Sequence, residues 1–451
     1  MSDQTKAILA HFEHFPSVTT DSRAVRKGDI FFALQGDRFN GNRYARSAMD
    51  QGASLVVMDD ADLFTDIKAS ELNEVRAGQP EPLKCLVADG LKALQSVATA
   101  YRRSWDMPVL AITGSNGKTT TKELISAVMA TRYSTHATHG NYNNHIGVPL
   151  TILATPKSAD ICILEMGANH QGEIAELCRI GEPSHGLITN IGQAHLEGFG
   201  GREGIKKGKG EMFDWLGENS GIGFVNLDQP EVVELGQKLK KRVEFGRSEA
   251  PSQEVDSIEV GLLRSHPNCK VTYLSGGGEH LTAETHLTGL HNFENIKAAI
   301  AVGKYFKVPG KLIASALESY RPDNARSQRL THRNVSFFWD AYNANPTSVK
   351  AALAAFSQLE QTPKVAILGE MLELGEEAES LHLEVAHYAL DHHIDQIVLV
   401  GKAFESVAER LDLKFFADSV SLSNWFWAQN WAAHFVFVKG SRGVALEKLL
   451  E

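Results

Sequence analysis

Residues 111–123, AITGSNGKTTTKE, decide the fold. An apolar run ends here, two glycines make a turn, and a helix-forming stretch begins. Gly114 and Gly117 let the backbone bend so that its N–H groups converge, and the positive end of the following helix adds to that field. This arrangement holds an anion. Lys118 would reach the β- and γ-phosphates of a nucleotide, and the Thr119 hydroxyl would sit on Mg²⁺. The general GxxxxGK loop asks for a glycine where this chain has Ile112. The bland alternative is a structural strand-to-helix turn with an incidental lysine. Strand before, helix after and GKT in place favour phosphate binding.

Outward from this turn, apolar strands alternate with helices. PVLAIT precedes the turn at 108–113, ADICILEMG at 159–167 is a second strand and HGLITNIG at 185–192 a third. Such alternation predicts a mostly parallel sheet covered on both faces. A first segment, 1–82, carries the strand runs GDIFFALQG and GASLVVMDD and closes on ELNEVRAGQPEP (71–82), which reads as a linker. A central segment, 83–321, holds the glycine turn. A third, 322–451, runs through VSFFWDAYNANP, KVAILGEM, QIVLVGKAF and HFVFVKGSRG. Each of these strands ends in a glycine or polar turn, the edge at which open α/β sheets bind ligands. Three α/β domains are expected.

Composition narrows the class. With 451 residues, 43% apolar and 22% charged, the chain reads as an ordinary soluble globular protein. Its net charge of −10 argues against nucleic acid, which needs a basic surface. Four cysteines without CxxC spacing argue against a disulfide framework or zinc site. No run approaches the roughly 18–20 apolar residues of a membrane span. A cytoplasmic enzyme without membrane insertion is expected.

Six further stretches bear on chemistry. Glu165 ends a buried apolar strand, where it either ligates a metal or caps a following helix. His195 follows a strand end and a glycine; a lone histidine there is more often an ordinary hydrogen-bonded residue, so it needs Glu165 beside it to be read as a ligand. REGIKKGKGEMF clusters Arg202, Lys206, Lys207 and Lys209, and for most of these a solvated basic face or a binder of acidic substrate suffices. Asn292 and Asn295 lie on one turn of an otherwise apolar helix and want partners, an adenine edge or neighbouring backbone. Asp340, at a strand end, suits a ribose ligand or a cap equally. In VKGSRG, Lys439 and Arg442 suggest a carboxylate or phosphate grip. The histidines of LHLEVAHYALDHH have helical spacing and read as structural.

In order along the chain, TGSNGKTT, NNHIGVP, EMGANH, NIGQAHLEGFG, KGKGE, GLHNFEN and DAYNANP resemble the signature of the Mur ligase family. TTDSRAVRKGDIFFALQG looks like that family's UDP-binding segment. LGEMLELGEEAESLH and VKGSRG are similar to members that add D-alanyl-D-alanine. The resemblance implies a UDP-binding domain, a central ATPase-like domain and a Rossmann-like domain. It also implies a reaction: ATP phosphorylates the terminal carboxylate of UDP-N-acetylmuramoyl-tripeptide, and the amine of D-alanyl-D-alanine displaces phosphate.

Carried onto this chain, the family pattern gives Thr113, Gly114, Ser115, Asn116, Gly117, Lys118, Thr119 and Thr120 to the ATP phosphates. Thr119 and Glu165 would hold one Mg²⁺; His195 and a carbamylated Lys209 would hold a second. Lys209 is preferred over Lys207 because it directly precedes the GE that follows the family's modified lysine. An unperturbed lysine is neutral in only about one copy in 2,500 at pH 7, so carbamylation needs a shifted environment. Asn292, Asn295, Arg326 and Asp340 fall to the rest of the nucleotide. Asn143, Asn144, Tyr342, Asn343 and Asn345 line the peptide side, and Ser22 and Arg23 meet the UDP moiety. A monomer is expected.

Departures exist: Asn40 and Asn42 stand where the family often has aspartate and histidine, and Glu370 replaces a common aspartate. The family member adding the third amino acid would show DNPR in its last domain, whereas DNAR (323–326) lies at the domain junction. Folylpolyglutamate synthase should lack the first domain. A nucleotide-driven switch would hydrolyse ATP without a second substrate.

Overall fold

The computed structural model describes residues 1–36, 39–72, 82–251 and 256–451. The stretch read as a linker falls mostly at 73–81, outside the described residues. The chain divides into two compact units, the boundary cutting the strand Val109–Thr113 after Ala111 and the strand His185–Ile188 after His185.

The first unit comprises Met1–Ala111, Tyr133–Gly167 and Glu173–His185. Its five-stranded sheet runs in the order Val18–Thr19, Ile30–Phe32, Leu55–Met58, Leu83–Leu86, Ser70–Glu71, every pair parallel. Phe31, Val56 and Met58 pack against Ala45 and Ala48 of the helix Ala45–Asp50 to make its core. The strand Leu83–Leu86, expected to open the central segment, pairs with Leu55–Met58 instead. A short buried strand reads the same from sequence whichever sheet it joins, so the linker-like stretch before it carries no signal of which sheet Leu83–Leu86 enters. The helix Gly90–Arg102 buries Leu94, Val97, Ala98 and Tyr101 and packs on the helices Asp3–Phe12, Gly147–Leu153 and Glu173–Gly181. The strands Thr135–Ala137 and Ile161–Glu165 pair in parallel.

The second unit comprises Ile112–Arg132, Ala168–Gly172 and Gly186–Glu451. The helix Lys118–Ala130 starts directly after the glycine turn and lies against the helix Leu290–Tyr305. Ile222–Asn226, Lys241–Arg247 and Ile258–Arg264 pair in parallel; Lys270–Leu274 and His280–Glu284 then continue the sheet antiparallel. That meander departs from the expected parallel pattern. Its last strand, only partly buried, pairs across the turn SGGGEH, a hairpin signal written in glycine.

The C-terminal sheet has the order Gln328–His332, Val335–Trp339, Phe435–Lys439, Lys364–Gly369, Gln396–Val400, Lys414–Phe416. Only its first pair is antiparallel. Phe435–Lys439 and Lys364–Gly369 are buried at every position, as strands covered on both faces must be. The last strand in sequence lies centrally, so Asp340, Lys439 and Glu370 leave three adjacent strands at one carboxyl edge.

Candidate active site

The glycine turn is shaped by what surrounds it. Gly114 has φ +140° and Gly117 φ +78°. A Cβ on Gly114 would lie 3.0 Å from Thr189 N and closer still to Thr189 Oγ1, and one on Gly117 would lie 3.2 Å from Asn295 Cγ and closer still to Oδ1. Only glycine fits at either position. Hydrogen bonds lace the turn to residues 189–192. Ser115 N donates to Asn190 O (3.0 Å), Asn116 N to Asn190 Oδ1 (3.1 Å), and Gly192 N to Ser115 Oγ (2.8 Å). Thr189 Oγ1 donates to Asn116 O at 2.6 Å. Lys118 opens the helix, its Nζ donating to Gly114 O (2.7 Å) and Ser115 O (3.3 Å) of its own loop. Thr119 and Thr120 are buried beside it, and Thr113 ends the buried strand.

His195 lies within electrostatic reach of Lys118 on this loop and of Lys209. His195, at φ +58°, places Nδ1 on the Glu373 carboxylate. Burial holds its pKa below the ordinary histidine value; Glu373 opposes the shift, while the charges of Lys118 and Lys209 add to it. The imidazole is thus within electrostatic reach of both lysines. An ionised carboxylate only accepts, so Nδ1 carries the hydrogen and Nε2 keeps its lone pair. Lys209, on the helix Arg202–Glu218, is wholly buried, donates to Ala168 O at 3.0 Å and lies 4.8 Å from the Phe199 ring centroid. Its neighbours differ. Lys207 is exposed, and Arg202 and Lys206 pair with Glu231 and Glu234.

Asn292 and Asn295 lie where the helix Leu290–Tyr305 passes the loop. Asn295 Oδ1 accepts from Thr121 Oγ1 (3.0 Å) and Asn295 Nδ2 donates to Asn292 Oδ1 (3.1 Å). Asn292 Nδ2 meets Thr288 O (2.9 Å) and Ser327 Oγ (3.2 Å). Backbone and side chains satisfy these amides. Asp340 binds Lys439 Nζ at 2.7 Å and Ser327 N at 3.0 Å, and Lys439 also donates to Asn343 O (3.0 Å). Burial pushes the neighbouring His291 ring down to about 4. Arg326 stacks 4.0 Å over Tyr342, with Arg442 5.8 Å from the same ring. Asn345 caps the helix Pro346–Ser357 through a capping box with Ser348, and its Nδ2 donates to Asn116 Oδ1 at 2.7 Å.

In the first unit, Glu165 ends its strand at 1% exposure and accepts from Asn143 Nδ2 at 2.8 Å. Asn144 Oδ1 accepts from Ile146 N and Gly147 N, at the start of the helix Gly147–Leu153. Arg23 is exposed and forks onto Asp21 (2.9 and 2.7 Å), holding that carboxyl at about 2; Ser22 O accepts from Gln51. Asn42 is buried against Asp59, bonded at 2.7 Å, where it closes a local network. His382 accepts from Met371 N at 2.8 Å, a structural role as expected.

Sequence reasoning missed Glu373, Thr189 and Asn190. All three sit within quoted motifs, but Glu373 meets His195 across 178 residues, and nothing local in LGEMLELGEEAESLH points to that partner. Among the described residues, no three His, Cys, Asp or Glu side chains gather into a metal cage, and no helix is long and apolar enough to cross a membrane. All four cysteines are free and buried.

A glycine loop feeding a helix, with Lys118 at the helix start and Asn295 walling the turn, defines an α/β protein of the phosphate-loop kind. Three stretches match one family. Residues 14–102 match "Mur ligase family, catalytic domain", 112–303 "Mur ligase middle domain", and 325–442 "Mur ligase, glutamate ligase domain". The chain belongs to the Mur ligase family.

Within it, the chain is 34% identical over 465 residues to the UDP-N-acetylmuramoyl-tripeptide--D-alanyl-D-alanine ligase of Bacillus subtilis (strain 168), covering 100% of this chain and 96% of that one. The ligase of the same name from Escherichia coli (strain K12) is 30% identical over 439 residues, covering 96% and 92%. A solved MurF from Acinetobacter baumannii matches with a TM-score of 0.81 at 28% identity, over 98% of this chain and 96% of that one. MurF ligase from Thermotoga maritima in complex with ADP gives 0.79 at 25% identity, over 100% and 97%.

Proposed function

We infer that this enzyme joins D-alanyl-D-alanine to UDP-N-acetylmuramoyl-tripeptide at the expense of ATP. Full-length similarity to ligases of that name supports the substrates. The observation that carries the chemistry is the glycine loop itself, with the Lys118 ammonium held on Gly114 O and Ser115 O at the start of the helix Lys118–Ala130.

A carboxylate is a poor electrophile. Transfer of the γ-phosphoryl group to the peptide's terminal carboxylate gives an acyl phosphate, the amine attacks its carbonyl carbon, and the tetrahedral intermediate expels phosphate to leave an amide. Anions of nucleotide, peptide and transferring phosphoryl meet at one place, so cations must dominate it. The loop N–H groups and the start of the helix Lys118–Ala130 cradle phosphate, and the Lys118 ammonium can leave its loop carbonyls for the transferring group. Removing one such donor typically costs about 10²- to 10³-fold in rate.

The residues fit magnesium. Mg²⁺ at a triphosphate takes one or two protein ligands and completes its shell with phosphate and water oxygens, which a buried hydroxyl and single carboxylates can serve. Thr119 is the hydroxyl and His195 offers a neutral ring nitrogen. Glu165, buried in the first unit and bonded to Asn143 Nδ2, is the carboxylate that the family pattern gives to the metal. When bound, Mg²⁺ would neutralise charge developing on the transferring phosphoryl group. Lys209 is assigned as the carbamylated lysine. Its ammonium first gives up one proton, and the neutral amine with CO₂ then gives a carbamate and releases a second, which turns a buried cation into an oxygen ligand. The full burial of Lys209 beside an exposed Lys207 supports that choice.

Phosphate release is the test. It is expected only when ATP, the UDP-linked tripeptide and D-alanyl-D-alanine are all present, in a panel pairing each UDP-peptide with each amine. Turnover on ATP alone, as a nucleotide switch would show, would overturn the assignment.

A further inference from the structure

Glu373 belongs to no motif with an assigned role, yet the loop carrying it is firmly built. After the strand Lys364–Gly369, Glu370 N donates to Val400 O (2.8 Å) and its Oε2 accepts from Ala403 N (2.9 Å). Met371 N donates to His382 Nε2 (2.8 Å) and Leu372 N to Ser441 Oγ (3.0 Å), while Met371 and Leu374 are buried. Four anchors therefore fix where residue 373 emerges. Glu373 itself takes φ +64°, and its partner His195 takes φ +58°. A non-glycine residue costs about 1–2 kcal/mol in that region, and such strain persists where the surroundings over-determine it. Here two strained residues face one another, and Glu197 N donates to Glu373 O at 3.4 Å beside them.

The contact has a chemical consequence. In water a free histidine ring chooses between two tautomers. A carboxylate fixed at Nδ1 removes that choice and orients the ring, as carboxylates do behind metal-bound histidines. We propose that Glu373 is the positioning residue of His195, accepting its Nδ1–H so that the Nε2 lone pair is held ready for Mg²⁺. The proposal rests on His195 being a magnesium ligand, as inferred above.

Two readouts test it. The first is the ring tautomer of His195 in ligand-free protein, read from two-bond ¹H–¹⁵N couplings in histidine-labelled enzyme and assigned by His195→Ala. The Nδ1–H form is expected in the parent, is retained in Glu373→Gln, whose amide oxygen still accepts, and gives way to Nε2–H in Glu373→Ala. The second is the Mg²⁺ concentration for half-maximal phosphate release, expected to rise about 10- to 100-fold in Glu373→Ala and only a few-fold in Glu373→Gln. The Glu373 side chain is 53% exposed, so either variant should melt as the parent does; if the alanine variant does not, the glutamine variant against His195→Ala carries the test.

An unchanged tautomer and magnesium requirement in Glu373→Ala, with a raised requirement in His195→Ala, would overturn the positioning role and leave the magnesium reading intact. An unchanged requirement in His195→Ala would overturn the magnesium reading itself, and the proposal with it.

Discussion

Replacing Gly117 by alanine tests the phosphate cradle and the wall behind it together. At φ +78° a Cβ costs about 1–2 kcal/mol through backbone strain alone. The new methyl would also meet the Asn295 amide, its Cγ at 3.2 Å and Nδ2 at 3.4 Å. Asn295 must then turn away and lose the hydrogen bond from Thr121 Oγ1, a further loss of about 1 kcal/mol. The loop can escape both penalties by relaxing, but its N–H groups then no longer converge, and nucleotide binding must restore them. The affinity for ADP with magnesium should therefore fall by about 2–3 kcal/mol, or roughly 30- to 150-fold. Isothermal titration measures this directly. The double variant Gly117→Ala/Asn295→Ala removes the wall, so the steric part should return, a coupling of about 1 kcal/mol, while the strain remains. Binding by Gly117→Ala within about threefold of the parent, or a double variant worse than additive, would refute the account.

Lys209→Ala should lose activity by about 10²- to 10³-fold, with small carboxylic acids partly restoring phosphate release; full activity in the variant would rule out the carbamate. Asp340→Ala would leave the Lys439 ammonium buried without its carboxylate, so urea unfolding should show a loss of about 3–5 kcal/mol, partly recovered in Asp340→Ala/Lys439→Met. Burial lowers His11, His185 and His291 to about 4, so these rings stay neutral in the folded protein while the unfolded chain takes up protons near 6.5. Stability present above pH 6.5 is therefore lost as the pH falls toward 4, and melting temperatures across that window should drop less steeply in His11→Asn; equal slopes would count against the buried neutral ring.

Legibility in the sequence followed the range of the interaction. The phosphate loop could be read because its causes are local: two glycines, an apolar strand before and a helix after. The strands Val109–Thr113, Ile161–Glu165 and Phe435–Lys439 were readable for the same reason, as continuous apolar runs. Periodicity does not say which sheet a strand joins, and Leu83–Leu86 shows the cost. Asp340 and Lys439, 99 residues apart, each suit a ligand when taken singly, whereas the fold spends them first on one another. Asn345, carried over from the family to the peptide side, caps a helix, and its bond to Asn116 Oδ1 crosses 229 residues. Glu373 lies beyond local reading altogether: a half-exposed acid in an acidic turn gains meaning only from the imidazole it meets.

Net charge misleads in the same way. At −10 the chain as a whole repels anions, which fits the absence of a polyanion-binding signature, yet the reaction needs three anionic groups side by side. The two facts agree once distance enters. At physiological salt a charge is screened over about 8 Å, so the acidic surface adds little to the potential inside a site whose own cations interact across shorter, less polar paths. Burial is the main reason the His195 ring is driven toward neutrality, and the charges of Lys118 and Lys209 add to it against the opposing Glu373. The same crowding favours a lysine that gives up its charge: a carbamate at Lys209 would remove one repelling cation and supply an anion where magnesium needs one.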